Sequence, residues 1–151
     1  MKDLDMTILR AYECLNRNIC DALQAGANDC YRMLRERPET SSFFNITGNL
    51  RSSLGTAVYD RGRIHFISQF DILLNGQQGS SKGRAMANSL ASQYADCVAL
   101  VIMAAEDYAS DVEDRDSKDV ISSVTAYAEH RVKGWIQQGI DKACREINSW
   151  K

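Results

Sequence analysis

Residues able to act together as nucleophile and base are scarce in this chain. A serine or cysteine nucleophile needs a histidine within hydrogen-bond reach and an acid behind it. The two histidines are His65 and His130. Strand alternation sets His65 on the face opposite Ile64 and Phe66. His130 falls in a helical pattern between Glu129 and Arg131. No His-Glu-x-x-His occurs. Cys14, Cys20, Cys30, Cys97 and Cys144 are an odd number, widely spaced, with no Cys-x-x-Cys pair and no histidine close to one. They read as reduced thiols acting as small hydrophobes, and not as disulfides or a zinc site.

Two further stretches imitate ligand sites. Gly76-Gln77-Gln78-Gly79-Ser80-Ser81-Lys82-Gly83 has the composition of a phosphate loop, but Lys82 is followed by glycine where Ser or Thr is required. It reads as a flexible loop over residues 75–83. Asp111-Val112-Glu113-Asp114-Arg115-Asp116 lacks the alternating oxygen ligands and central glycine of a calcium loop, and reads as a solvated connector. The expectation is a protein without catalytic residues, metal or cofactor, and so not an enzyme. The alternative is a small intracellular binding or catalytic domain. It would have a pocket between the sheet and the C-terminal helix, and His65, Cys97 and Tyr108 would be the residues to test.

The composition agrees with a surface-driven role. The chain has 151 residues, 44% apolar and 25% charged, and a formal charge of -2. That length suits a single domain with one sizeable core. The near-balance of charge argues against binding nucleic acid by charge alone, which needs a basic face, and no sequence-specific nucleic-acid partner is expected. The longest strongly apolar stretch, Val98 to Ala105, is far short of the roughly 20 residues of a membrane span. The acidic N-terminus does not read as a signal peptide, so a soluble protein is expected.

The elements that must position these residues form an α+β pattern with long N-terminal and C-terminal helices around a small, mainly antiparallel sheet. Leu4, Ile8, Tyr12, Leu15, Ile19, Leu23, Ala27, Cys30 and Leu34 recur at steps of three and four, which predicts a helix over 3–37. Gly26 suggests a bend in it, and Pro38 ends it. The sheet region spans 43–105. A loop at Thr40-Ser41-Ser42 precedes it, and it opens with an apolar pair, Phe43-Phe44, that needs cover. Gly55 to Asp60 and Arg63 to Leu74 read as strands around a tight turn, with Ile64, Phe66, Phe70 and Ile72 on one face. Arg84 to Tyr94 reads as a short helix. Cys97 to Ala104 is apolar enough to be a central strand. Asp116 would cap a C-terminal helix over 117–149, with Asp119 in its first turn. Trp135, Ile140 and Trp150 on that helix either pack on the N-terminal helix or anchor an interface.

Within this frame, Thr47-Gly48-Asn49-Leu50-Arg51-Ser52-Ser53-Leu54 can form a capped helical turn. Thr47 accepts at its start, Gly48 allows a tight entry, and Leu50 and Leu54 share one face. Arg51 either stays solvated or pairs a carboxylate, with Glu113 as a candidate. The segment resembles the Thr-Gly-x-Leu-Arg-x-Ser signature of the tail-component proteins of long-tailed bacteriophages, which are neck and tail-completion subunits. The apolar strand followed by Tyr108-Ala109-Ser110-Asp111-Val112-Glu113 is similar to that family's second motif, in the expected order. Two departures stand out. Asp114-Arg115-Asp116 replaces the family's usual Gly-Thr turn, and Gly76 to Tyr94 resembles an insertion.

The resemblance implies a non-enzymatic virion protein at the neck or head–tail junction, a connector or tail-completion ring component made in the bacterial host cytoplasm. Its partners would be copies of itself in a ring and adjacent head, connector or tail proteins, with no membrane. The motif residues carried over are Thr47, Gly48, Leu50, Arg51, Ser53, Tyr108, Ala109 and Glu113.

Overall fold

The structure, a computed structural model, describes residues 2–38, 46–116 and 118–150. In chain order the elements are α1 (Lys2–Glu36), α2 (Asn49–Ser52), β1 (Leu54–Asp60), β2 (Arg63–Ile67), α3 (Gln77–Leu90), β3 (Val98–Ala104), α4 (Ala109–Asp116) and α5 (Ser122–Asn148). A 3-10 turn, Ala91–Tyr94, follows α3. The class is α+β, with long helices at both ends and a three-stranded antiparallel sheet between them. The readings placed on Thr40-Ser41-Ser42, on Phe43-Phe44 and on Ser117 lie outside the described residues.

The strand order is β2-β1-β3, so β1 is central and β3 is an edge. This corrects the expectation for β3. Its apolar run is accounted for by packing on both faces, because the two sides of the sheet carry separate cores. On one face Leu54 and Val58 join Leu23, Ala27, Cys30 and Leu34 of α1 and Val124 and Trp135 of α5. On the other, Ala57 and Tyr59 join Phe70, Ala87 and Met103. Successive β1 residues therefore serve opposite cores, as the two-residue period of a strand requires.

The hairpin turn has Arg61 at φ 49° and Gly62 at φ 80°. Positive φ at both central residues is the geometry that matches strand twist. The second strand stops at Ile67 and does not reach Leu74. Beyond it Phe70 takes φ 51° and is wholly buried, whereas Ile72 is exposed. A register irregularity between Val58 and Tyr59 also breaks the alternation in β2. His65 consequently reaches Asp21 on α1, on the side where Phe66 also packs. The expected opposition of His65 and Phe66 does not hold.

α1 runs unbroken through Gly26. That glycine is a packing position: a Cβ there would lie 2.5 Å from Cδ2 of Trp135. α5 begins at Ser122, later than expected, and Asp116 is the last residue of α4 instead of a cap.

Candidate functional site

The two motif segments meet at one end of the sheet. Leu54 pairs with Ala104 in the β1–β3 ladder, and the Ala105 N–H donates to the Ser53 carbonyl at 3.3 Å. Leu50, Leu54 and Ala109 share one core. Tyr108 is partly exposed. Burial and then Glu106 push its hydroxyl up, with Lys82 and the Leu50 backbone pulling the other way.

Each motif residue has a structural task. The Thr47 hydroxyl accepts from the N–H of Asn49, the first residue of α2, at 3.3 Å. Gly48 has φ 83°, and a Cβ there would stand 2.0 Å from the Leu73 carbonyl oxygen. Only glycine combines that conformation with that approach. The Ser53 hydroxyl donates to the Leu50 carbonyl at 2.8 Å, closing the turn. Arg51 is buried and its Nη1 donates to the Arg37 carbonyl at 2.9 Å, tying α2 to the end of α1.

Glu113 does not serve Arg51, as the sequence suggested. Its Oε1 accepts from the N–H groups of Val120, Ile121 and Ser122 at 3.0, 2.9 and 3.0 Å, and from the Ser122 hydroxyl at 2.9 Å. A helix start leaves its first N–H groups without partners, and Ile121, the residue at the cap position of α5, supplies no side-chain bond. Glu113 supplies it from α4. Burial works against its ionisation, but the bonds from Ile121, Ser122 and Val120 prevail and hold the carboxyl below its ordinary value. Asp119 adds a bond from the Ser123 N–H at 3.1 Å and an ion pair to Arg37 at 2.6 Å.

Sequence reasoning missed the other half of this junction. Residues 75–83 are not a flexible loop, because Gln77 onward is α3. A Cβ on Gly79 would lie 1.9 Å from the Asn49 carbonyl oxygen, and one on Gly76 would lie 2.1 Å from the Ser52 hydroxyl. Asn49 Oδ1 accepts from the Gly79 N–H at 3.2 Å, and the Ser52 hydroxyl accepts from the Leu73 N–H at 2.9 Å. The signal was present: Gly76, Gly79, Gly83 and Ala87 fall at steps of three and four, a flat helical stripe. Lys82, which imitated a phosphate ligand, pairs with buried Glu106 at 2.7 Å.

The alternative's residues do not converge. His65 bonds Asp21, Cys97 is exposed at the start of β3, and Tyr108 lies beside Leu50. An apolar groove of about 310 Å³ does run between β3 and α5, walled by Leu100, Ile102, Val132 and Ile136 with Trp135 and Glu129. None of those three residues lines it. Trp135 is 4% exposed, so it is a core residue and not an interface anchor. Ile140 and Trp150 are partly buried, with the Arg10 guanidinium 4.2 Å above the Trp150 ring.

Among the described residues no group of three His, Cys, Asp or Glu is placed to hold a metal, and no helix is long and apolar enough to cross a membrane. Comparison with protein-family models, curated proteins and solved structures finds no match.

Proposed function

We propose that this chain is a non-enzymatic structural subunit of a tailed-phage virion, placed at the neck or head–tail junction, where copies assemble into a ring. One observation carries the reading. Residues of the two motif segments contribute to one junction, in which Thr47, Gly48, Ser53 and Glu113 cap or close backbone turns. Arg51 links α2 to α1 there. Residues with such tasks hold the shape of a surface, and a ring subunit works by surfaces. Head-to-tail contacts within a closed ring use two different faces of each copy.

The apolar groove between β3 and α5 favours a second reading, a binding domain for an apolar ligand. One experiment separates them. The native mass of the purified chain is measured alone and mixed with a phage connector ring. The neck reading expects a closed oligomer or binding to the connector. A strictly monomeric chain that ignores head and tail components overturns it.

A further inference from the structure

β3 is an edge strand whose outer side is open. The Cys97 carbonyl accepts from the Arg61 N–H at 2.9 Å, and the Ala105 N–H donates to the Ser53 carbonyl at 3.3 Å. Backbone groups alternate sides along an antiparallel strand. Ala99, Val101 and Met103 therefore face β1, and Val98, Leu100, Ile102 and Ala104 turn their N–H and C=O groups outward. Among the described residues nothing bonds those outward groups. The opposite edge is guarded, since β2 is five residues long, begins with exposed Arg63 and has an irregular register. β3 has seven apolar residues with no charge, proline or register shift. Proteins blunt such an edge unless something covers it.

Backbone, shape and charge together specify the occupant. The outward donors and acceptors need an extended chain about 4.8 Å away. The groove of about 310 Å³ between β3 and α5 takes alternate side chains of that chain, whereas an α-helix, about 10 Å across, does not enter it. Glu129 is the one charged residue lining the groove, and it is exposed. It has no ion-pair partner among the described residues, and Lys133, one turn further along α5, forms none with it. Arg131 leans over Tyr127, 5.9 Å from the ring centre. Exposed Asp96, two residues before β3, adds negative charge at the Val98 end. The strand that fits is apolar on its groove side with a cation beside Glu129. β3 of a second copy is extended, but it is uncharged and flanked by Asp96 and Glu106, so it brings no cation.

We propose that β3 accepts an extended segment of a partner protein as a fourth strand, whose alternate side chains enter the groove and whose Lys or Arg pairs with Glu129. Main-chain bonds to Val98, Leu100, Ile102 and Ala104 supply affinity, and the groove with Glu129 supplies selectivity. The proposal rests on the groove reading above and deepens it, from an apolar ligand to a basic, strand-forming peptide. It does not rest on the neck reading.

The test titrates the full chain with a capped nonapeptide that alternates Val and Thr and carries Lys in place of the central Val. Amide hydrogen exchange is followed by NMR. Val98, Leu100, Ile102 and Ala104 are expected to exchange freely in the chain alone and to slow by about tenfold or more with peptide, while Val101 and Met103 are slow in both. Glu129→Lys, an exposed change that should leave the fold intact, weakens binding about tenfold, and a peptide with Glu for Lys recovers part of the loss. N-methylation of one alternate set of peptide amides abolishes binding, and of the other set leaves it. No binding tighter than about 1 mM overturns the proposal, as does binding that leaves the four amides unprotected or ignores Glu129→Lys. Amides protected in the chain alone, increasingly with its concentration, assign the edge to a second copy and overturn it too. If the peptide fails while the neutral apolar dye N-phenyl-1-naphthylamine shifts the Leu100 and Val132 resonances, the groove reading stands without the strand. If neither binds, both fall.

Discussion

Glu113 shows how much one side chain can organise. It lies on α4 yet serves the start of α5, so it joins two helices that the sequence read as a solvated connector and a self-capped helix. Its carboxyl titrates lower in the folded chain than in the unfolded one. The stability it contributes is therefore complete above the unfolded value of 4.5 and lost as pH falls through the folded one. Replacing Glu113 by Ala should cost about 1 kcal/mol at neutral pH, the usual worth of a cap. Urea denaturation at pH 7 and pH 3 checks this, and the cost should shrink markedly at pH 3. The thiols offer a second check at this scale. Cys97 and Cys144 are exposed, while Cys14, Cys20 and Cys30 are buried, with burial pushing Cys20 and Cys30 to about 11. Thiolate is the reactive form. A disulfide reagent should therefore titrate two thiols quickly in the native protein and all five only after denaturation.

At the scale of elements, small residues set how closely helices approach. α3 packs its glycine stripe on the α2 turn, and Gly79 leaves no room for a methyl group against the Asn49 carbonyl. Gly79→Ala should destabilise the fold by about 1–3 kcal/mol, the cost of overpacking. Gly134 on α5 has open space around it. Gly134→Ala should stabilise by about 0.5–1 kcal/mol, because alanine orders in a helix at lower entropic cost. The two variants compared by chemical denaturation should move in opposite directions, and equal shifts would refute the packing argument. The same principle explains why residues 75–83 were misread. Glycine and serine are weak helix formers by themselves. The α3 stripe is helical because its lack of side chains lets α2 and Phe70 come close.

At the scale of the molecule, β1 holds the fold together, since it contributes to the cores on both faces of the sheet. A change on either face is felt on the other, so unfolding should be one transition. Far-ultraviolet dichroism and the near-ultraviolet signal of buried Trp135 should be lost at the same temperature, and separated midpoints would contradict a shared core.

The sequence by itself determined the long helices and the hairpin. Helix and strand periods are local, and an apolar stripe every three or four residues survives whatever it packs against. Leu23, Ala27, Cys30 and Leu34 were legible for that reason, as was the turn at Gly62. The tight entry at Gly48 was legible too, whereas Leu54 opens β1 and shares a core with Leu50 instead of a helix face. Tertiary structure alone decided the rest. Strand order is a pairing between distant residues, so an apolar run could not say that β3 is an edge while β1 is central. The partner of Glu113 was equally out of reach, because a carboxylate takes whichever donors the fold leaves open, and here those were the N–H groups that begin α5.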